Sequence, residues 1–198
     1  MKGIQNIIHL LLFSLVLLFA ACAKTGETTA SIESDTTATE VVAQKETPKE
    51  EIPSPLKKVS GEIAGVQVNM QYGSPGVKER DIWGSLVPYG EVWRIGANEA
   101  TWIEFNKDVS ITEQNIPAGK YGFFTIPNEG EWTVILNKVW DQWGAYDYNE
   151  AEDVIRFTVK TENLDTTHER MNFAINDKVN FMWENLGFSF DIAAATAQ

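Results

Sequence analysis

From Val66 onward, apolar and polar side chains alternate in short runs rather than at helical spacing. Val66, Val68 and Met70 alternate with polar neighbours up to Tyr72. Successive side chains of an extended chain point to opposite faces, so this pattern predicts a strand with one buried face. Trp102 to Phe105 and Val109 to Ile111 read as two strands, and Asn106 to Asp108 predicts a hairpin between them. Tyr121 to Ile126 stops at Pro127, and Asn128 to Gly130 turns the chain into Trp132 to Leu136, a second hairpin. Ile155, Phe157 and Val159 alternate with Arg156, Thr158 and Lys160. Met171 to Ile175 and Val179 to Trp183 bracket a turn at Asn176 to Lys178, and Gly187 to Ile192 closes the series. Turn residues recur about every ten positions, the rhythm of a sandwich or barrel. The pattern predicts one all-β domain, an antiparallel β-sandwich or barrel-like fold. The one helical segment it predicts is a short turn around Tyr148 to Asp153.

The N-terminal region breaks this pattern twice. Residues 1–21 read as a signal peptide, with Lys2 ahead of an apolar run from Leu10 to Ala21 that only Ser14 interrupts. The run is short for a membrane span, which takes about 20 apolar residues. It ends in Phe19-Ala20-Ala21-Cys22, which resembles a bacterial lipobox and implies cleavage before Cys22 and lipidation of its thiol. Several acyl chains anchor stably at ~0.8 kcal/mol per buried CH₂. No acidic cluster follows Cys22, so the expected location is the outer membrane, facing the periplasm. Residues 22–58 hold seven Thr, three Pro, seven acids, five Lys and no aromatic residue. Such a segment buries too little to offset its ordering entropy. It predicts a lipid-anchored disordered linker, a domain over 59–193 and a tail over 194–198.

Charge and composition narrow the chemistry. The chain has 198 residues and a net charge of −12; the part after the linker carries ten basic and 21 acidic residues. So acidic a surface argues against nucleic acid as a partner. A single Cys excludes an intrachain disulfide and a cysteine zinc cluster. His168 lacks the second histidine of a zinc-protease helix, and no serine-nucleophile elbow, phosphate-binding loop or dinucleotide fingerprint occurs. Neither metal nor cofactor is expected.

Residues 73–100 form a long, chemically dense connection, and long ordered loops are often functional. Lys78, Arg80 and Arg94 gather there beside Asp81, Glu91 and Glu99. Two readings fit. In the first, Arg94 and Glu99 form a buried ion pair, Asn98 serves the Gly96–Ala97 turn, and Trp83 and Trp93 belong to the core. In the second, Lys78, Arg80, Trp83, Trp93, Arg94, Asn98 and Glu99 line a ligand site. Arg80 and Arg94 would then hold a carboxylate or phosphate, for which the planar guanidinium is suited.

Residues 140–153, WDQWGAYDYNEAED, place two Trp and two Tyr among acids and amides. Trp140, Trp143, Tyr146 and Tyr148 offer stacking platforms for a sugar ring, with Gln142 as a polar contact. The competing reading has Trp143 and Tyr146 plugging the end of the sandwich. Asp147, Asn149, Glu150, Glu152 and Asp153 offer oxygen ligands for Ca²⁺, but their spacing does not match an EF-hand loop.

Longer motifs carry a family resemblance. Ser74-Pro75, Lys78 and Arg80, Ile82 to Gly90, and Val92 to Thr101 are similar to the signature of an uncharacterised bacterial family, domain of unknown function 2911. Pro117-Ala118-Gly119 with Tyr121, Phe124 to Pro127, Glu131-Trp132-Thr133 and Gln142 to Tyr146 match it too. Glu79 stands where the family pattern has glycine. The resemblance spans most of residues 59–192 and implies a secreted or lipidated β-rich domain, with no established activity. The expected function is a lipid-anchored envelope binding module for a glycan or another envelope component. The alternatives are an envelope-polymer hydrolase using paired carboxylates, with Glu99 as acid or base, and an assembly partner of another envelope protein.

Overall fold

The computed structural model describes residues 52–195. The expected signal peptide, the lipidation site Cys22 and the linker through residue 51 lie outside the described residues, as do residues 196–198 of the tail.

Six antiparallel strands form the main sheet. They are β1 (Leu56–Ile63), β2 (Val66–Gly73), β3 (Trp102–Phe105), β6 (Gly119–Ile126), β7 (Glu131–Asn137) and β8 (Asp153–Lys160), in that spatial order. Ala64 and Gly65 join β1 to β2 with φ of 52° and 77°, the backbone twist a two-residue hairpin needs. β9 (Glu162–Ile175) and β10 (Val179–Phe190) form a long hairpin across one face. β4 (Val109–Ile111), β5 (Gln114–Ile116) and β11 (Ala193–Ala194) make a small third sheet. The expected helical turn is a single 3₁₀ turn, Glu150–Glu152, capped by the Asn149 side chain.

Alternation decides which face is buried. Val68, Met70, Ile103, Phe123, Trp132, Val134 and Leu136 point inward and are buried. The β9–β10 hairpin sets Met171, Phe173, Phe181, Trp183 and Phe188 against them. Ring pairs join the layers, with centroids 5.8 Å apart for Phe123–Phe173 and 5.6 Å for Trp132–Phe181. Aromatic and aliphatic burial together supply the hydrophobic driving force for the sandwich.

The outer face of the main sheet carries a second, smaller core. Ala100, Phe124 and Ile135 are buried there, with Val92, Ile126, Ala145 and Tyr148 packed around them. These residues show how the two long loops attach. One edge of β6 is covered by β3 as far as Thr101, whose carbonyl accepts from the Phe123 amide at 2.7 Å. Trp93 then takes over, exchanging bonds of 2.7 and 2.9 Å with Thr125. Residues 94–100 therefore leave one sheet edge and return to it.

Three expectations change. Trp102 to Phe105 and Val109 to Ile111 are strands but not a hairpin: β3 lies between β2 and β6, while β4 pairs with β5 and β11. Asn106 extends the β2 pairing, exchanging bonds with the Gln67 backbone through its side-chain oxygen and its own amide. Asp108 Oδ1 then accepts from the Ala118 amide at 2.8 Å and turns the chain out of the sheet. The first strand begins at Leu56, ahead of the expected boundary at Val59, and Arg170 Nη1 already holds the Pro53 carbonyl at 2.8 Å. At the other end Ala194 belongs to β11, and the Ala195 amide still bonds Asp108.

Candidate functional site

A cavity of about 530 Å³ lies between the 80–97 connection and the aromatic loop, within the ~300–1,000 Å³ range of small-ligand sites. Of the sequence candidates, Arg80, Trp93, Arg94 and Tyr146 line it. Glu91 and Trp183 complete the chemically significant wall.

Each element has a physical reason for its position. Gly73 and Ala97 meet backbone to backbone, and a Cβ on Gly73 would overlap the Ala97 carbonyl. Ile95, fully buried beside Arg94, has φ of 45°, a costly conformation for a β-branched residue. Thr101 Oγ1 donates to its carbonyl at 2.9 Å, and the Thr101 amide donates to the Arg94 carbonyl at 3.4 Å. The base of the excursion is therefore tied on both sides of the strained residue. The Ala100 amide donates to the Gln142 carbonyl at 3.0 Å, and Glu99 bridges Trp143, which brings the aromatic loop alongside.

Arg94 is the unusual group. Its Nε is buried without a hydrogen-bond partner, and no described carboxylate pairs with its guanidinium. Burial lowers its pKa, an effect that the nearby Tyr146 phenol partly opposes. The expected Arg94–Glu99 ion pair does not form: Glu99 is exposed, and backbone bonds do the stapling instead. Arg80 differs from Arg94, because its Nε and Nη2 donate to the Val77 and Gly76 carbonyls at 3.0 and 2.5 Å. It brings charge to the cavity while most of its fork holds the turn. The buried indole N–H of Trp183 also has no acceptor.

The other candidates do not line the cavity. Lys78 is exposed in a left-handed turn, its amide held by Glu169 Oε1 at 3.0 Å. Trp83 packs against the core and donates Nε1 to Glu184 at 3.1 Å. Asn98 is exposed with φ of 65°, so its contribution to the turn is conformational. Trp140 covers Lys120, whose ammonium lies 4.5 Å from its ring centre and 4.1 Å from that of Trp102. Gln142 donates to the Val139 carbonyl at 3.0 Å. Tyr148 packs edge-on against Phe124 and bonds Asp153, so it is a plug. Trp143 and Tyr146, at 58% and 83% exposed, are not.

Three of the acids after Tyr146 are engaged elsewhere, and Asp147 is exposed. Asp153 and Glu150 pair with Arg156, and Glu152 pairs with Lys138. Among the described residues no group of three or more His, Cys, Asp or Glu is placed to hold a metal ion. Sequence reasoning omitted Trp183 from the site, since its alternating position in β10 signalled only core. Glu91 was visible as one acid among several, and nothing in its spacing marked it out.

No curated protein and no solved structure matches the chain. The family described as "Protein of unknown function (DUF2911)" matches residues 54–192, from just ahead of β1 to the end of the sandwich, and the chain belongs to that family.

Proposed function

We propose that this chain is a lipid-anchored binding module of the cell envelope, facing the periplasm from the outer membrane, whose ligand seats in the Arg94 cavity. The ligand is a glycan or another envelope component. One observation carries the reading: the half-buried Arg94 sits in the cavity wall with its Nε buried and its guanidinium unpaired. Such a group is costly unless something completes it. The exposed Tyr146 adds a ring face beside it, and Trp93, packed against the core and stacked on Trp183, adds apolar wall. The anchor rests on the lipobox-like run ending at Cys22. Ser54 lines the same cavity, so the chain enters the domain beside the site.

The hydrolase reading has less support. Glycoside hydrolysis takes two carboxylates flanking the scissile bond, and Glu91 is the one carboxylate among the cavity-lining residues. The exposed Trp143, outside the cavity, supports an assembly surface as the second reading.

The test is a thermal-shift panel of neutral and acidic envelope oligosaccharides on the full chain. A ligand at 100 times its Kd adds ~2.7 kcal/mol, which raises Tm by several degrees. A shift with one saccharide class, lost in Tyr146→Ala, is expected. A flat panel would move the assignment to the assembly reading. For the anchor, Cys22→Ser is expected to release the chain from the membrane fraction, and retention there would overturn it.

A further inference from the structure

We infer that the cavity selects a carboxylate-bearing sugar ring, a uronic-acid type of saccharide, through the Arg94 guanidinium. The inference rests on the cavity being the binding site and adds the chemical class of its ligand.

The described domain is strongly acidic, and acidic surfaces repel anions at long range. Yet the lining of this cavity holds Arg80 and Arg94 against the single carboxylate of Glu91. The positive balance is local, and solvent screening confines its influence to the cavity. Arg80 spends two donors on the Gly76 and Val77 carbonyls, so its share of recognition is charge. Arg94 spends none of its side-chain donors on the protein. An anion with two coplanar oxygens matches such a guanidinium, forming charge-assisted bonds stronger than those to a hydroxyl.

The rest of the lining selects a ring with hydroxyl groups. The exposed Tyr146 presents a face for the C–H side of a pyranose, Trp93, stacked on Trp183, adds apolar wall, and Glu91 is an acceptor for hydroxyl donors. A fatty acid would leave Glu91 desolvated beside its chain, and a bare inorganic anion would leave the rings uncovered. A sugar carboxylate uses all three features at once. The strained Ile95 supports the same assignment, because backbone strain beside a ligating side chain holds it ready before the ligand arrives.

The experiment compares trigalacturonate with its carboxyl-reduced, neutral counterpart by calorimetry on the full chain. The acidic form is expected to bind at least roughly tenfold more tightly, as one charge-assisted contact implies. Arg94→Gln is expected to abolish the preference, so that the acidic and neutral forms bind with equal affinity. Because Arg94 variants risk misfolding, Glu91→Gln provides a second arm at an exposed residue. It removes a repulsion felt by the acidic form alone and weakens a hydroxyl contact common to both, so the preference for the acidic form is expected to widen, with the widening shrinking as salt rises. Equal affinity for the two trisaccharides, or a preference that survives Arg94→Gln, would overturn the carboxylate assignment and leave the cavity as a neutral-glycan site. If neither trisaccharide binds at millimolar concentration, both the inference and the binding site it rests on fall.

Discussion

The Thr101 hydroxyl donates to the Ile95 carbonyl at 2.9 Å and so holds a buried, β-branched residue at φ of 45° directly beside Arg94. Thr101 is itself fully buried, so the bond has no competition from water. Thr101→Val keeps the shape and leaves the carbonyl without its donor, a loss of about 1–3 kcal/mol. Urea unfolding is expected to show that loss. Thr101→Ser keeps the hydroxyl and is expected to retain ligand affinity better than Thr101→Val. Equal affinities in the two variants would detach Ile95 from the site.

Trp143 and Tyr146 are both exposed, but only Tyr146 lines the cavity. Surface substitutions that remove no packing usually change stability by less than about 0.5 kcal/mol. Tyr146→Ala is therefore expected to stay folded and to lose saccharide binding. Trp143→Ala is expected to stay folded and to keep it. A Trp143→Ala variant that loses binding while Tyr146→Ala retains it would place the ligand on the outer loop rather than in the cavity.

Much of this architecture was legible because β-alternation is a local property. The inward set Val66, Val68, Met70 and Tyr72 can be read from four alternate positions, and all four are buried. Strand pairing is not local, which is why the adjacent β3 and β4 looked like a hairpin. The decisive contacts join Asn106 to Gln67, 39 positions away, and Asp108 to Ala118, ten positions away and beyond the next strand. The site was legible in the same partial way. The residue types around Arg80, Trp93 and Arg94 announced oxyanion chemistry, and Tyr146 announced a ring face. Burial alone separated Tyr146 from Tyr148, two positions on, since one points to solvent and the other fills the space against Phe124.

Glu79 has φ of 56° in the turn after Lys78, a conformation that glycine adopts without strain. A left-handed conformation costs a non-glycine residue roughly 1–2 kcal/mol. Glycine removes that strain but adds entropy to the unfolded chain. Glu79 is exposed, so its side chain adds little packing to offset the strain. Glu79→Gly is expected to stabilise the domain by about 0.5–1 kcal/mol, seen as a rise in the urea midpoint with an unchanged slope. Ala64→Asn tests the same physics in the β1–β2 turn, where Asn-Gly is the favoured pair. A midpoint that falls in both variants would contradict the turn geometry.

Tyr148 gives the domain a specific alkaline limit. Its hydroxyl donates to Asp153 Oδ2 at 2.6 Å and accepts from Arg156 Nη2 at 2.7 Å. Burial first, and then the bond to Asp153, raise its pKa from 10.0 to about 12. In the unfolded chain the pKa returns to about 10. Between those values the folded state keeps a proton that the unfolded state releases, so stability falls as pH rises. The stabilisation is complete below about pH 10 and is lost as pH climbs through about 12. Tyr148→Phe removes both hydroxyl contacts and is expected to be less stable at neutral pH. It is also expected to lose less stability than the wild type between pH 10 and 12. The remaining side chains are common to both proteins and cancel in the difference. Urea midpoints for the pair at successive pH values therefore isolate Tyr148, and parallel curves would remove it as the alkaline switch.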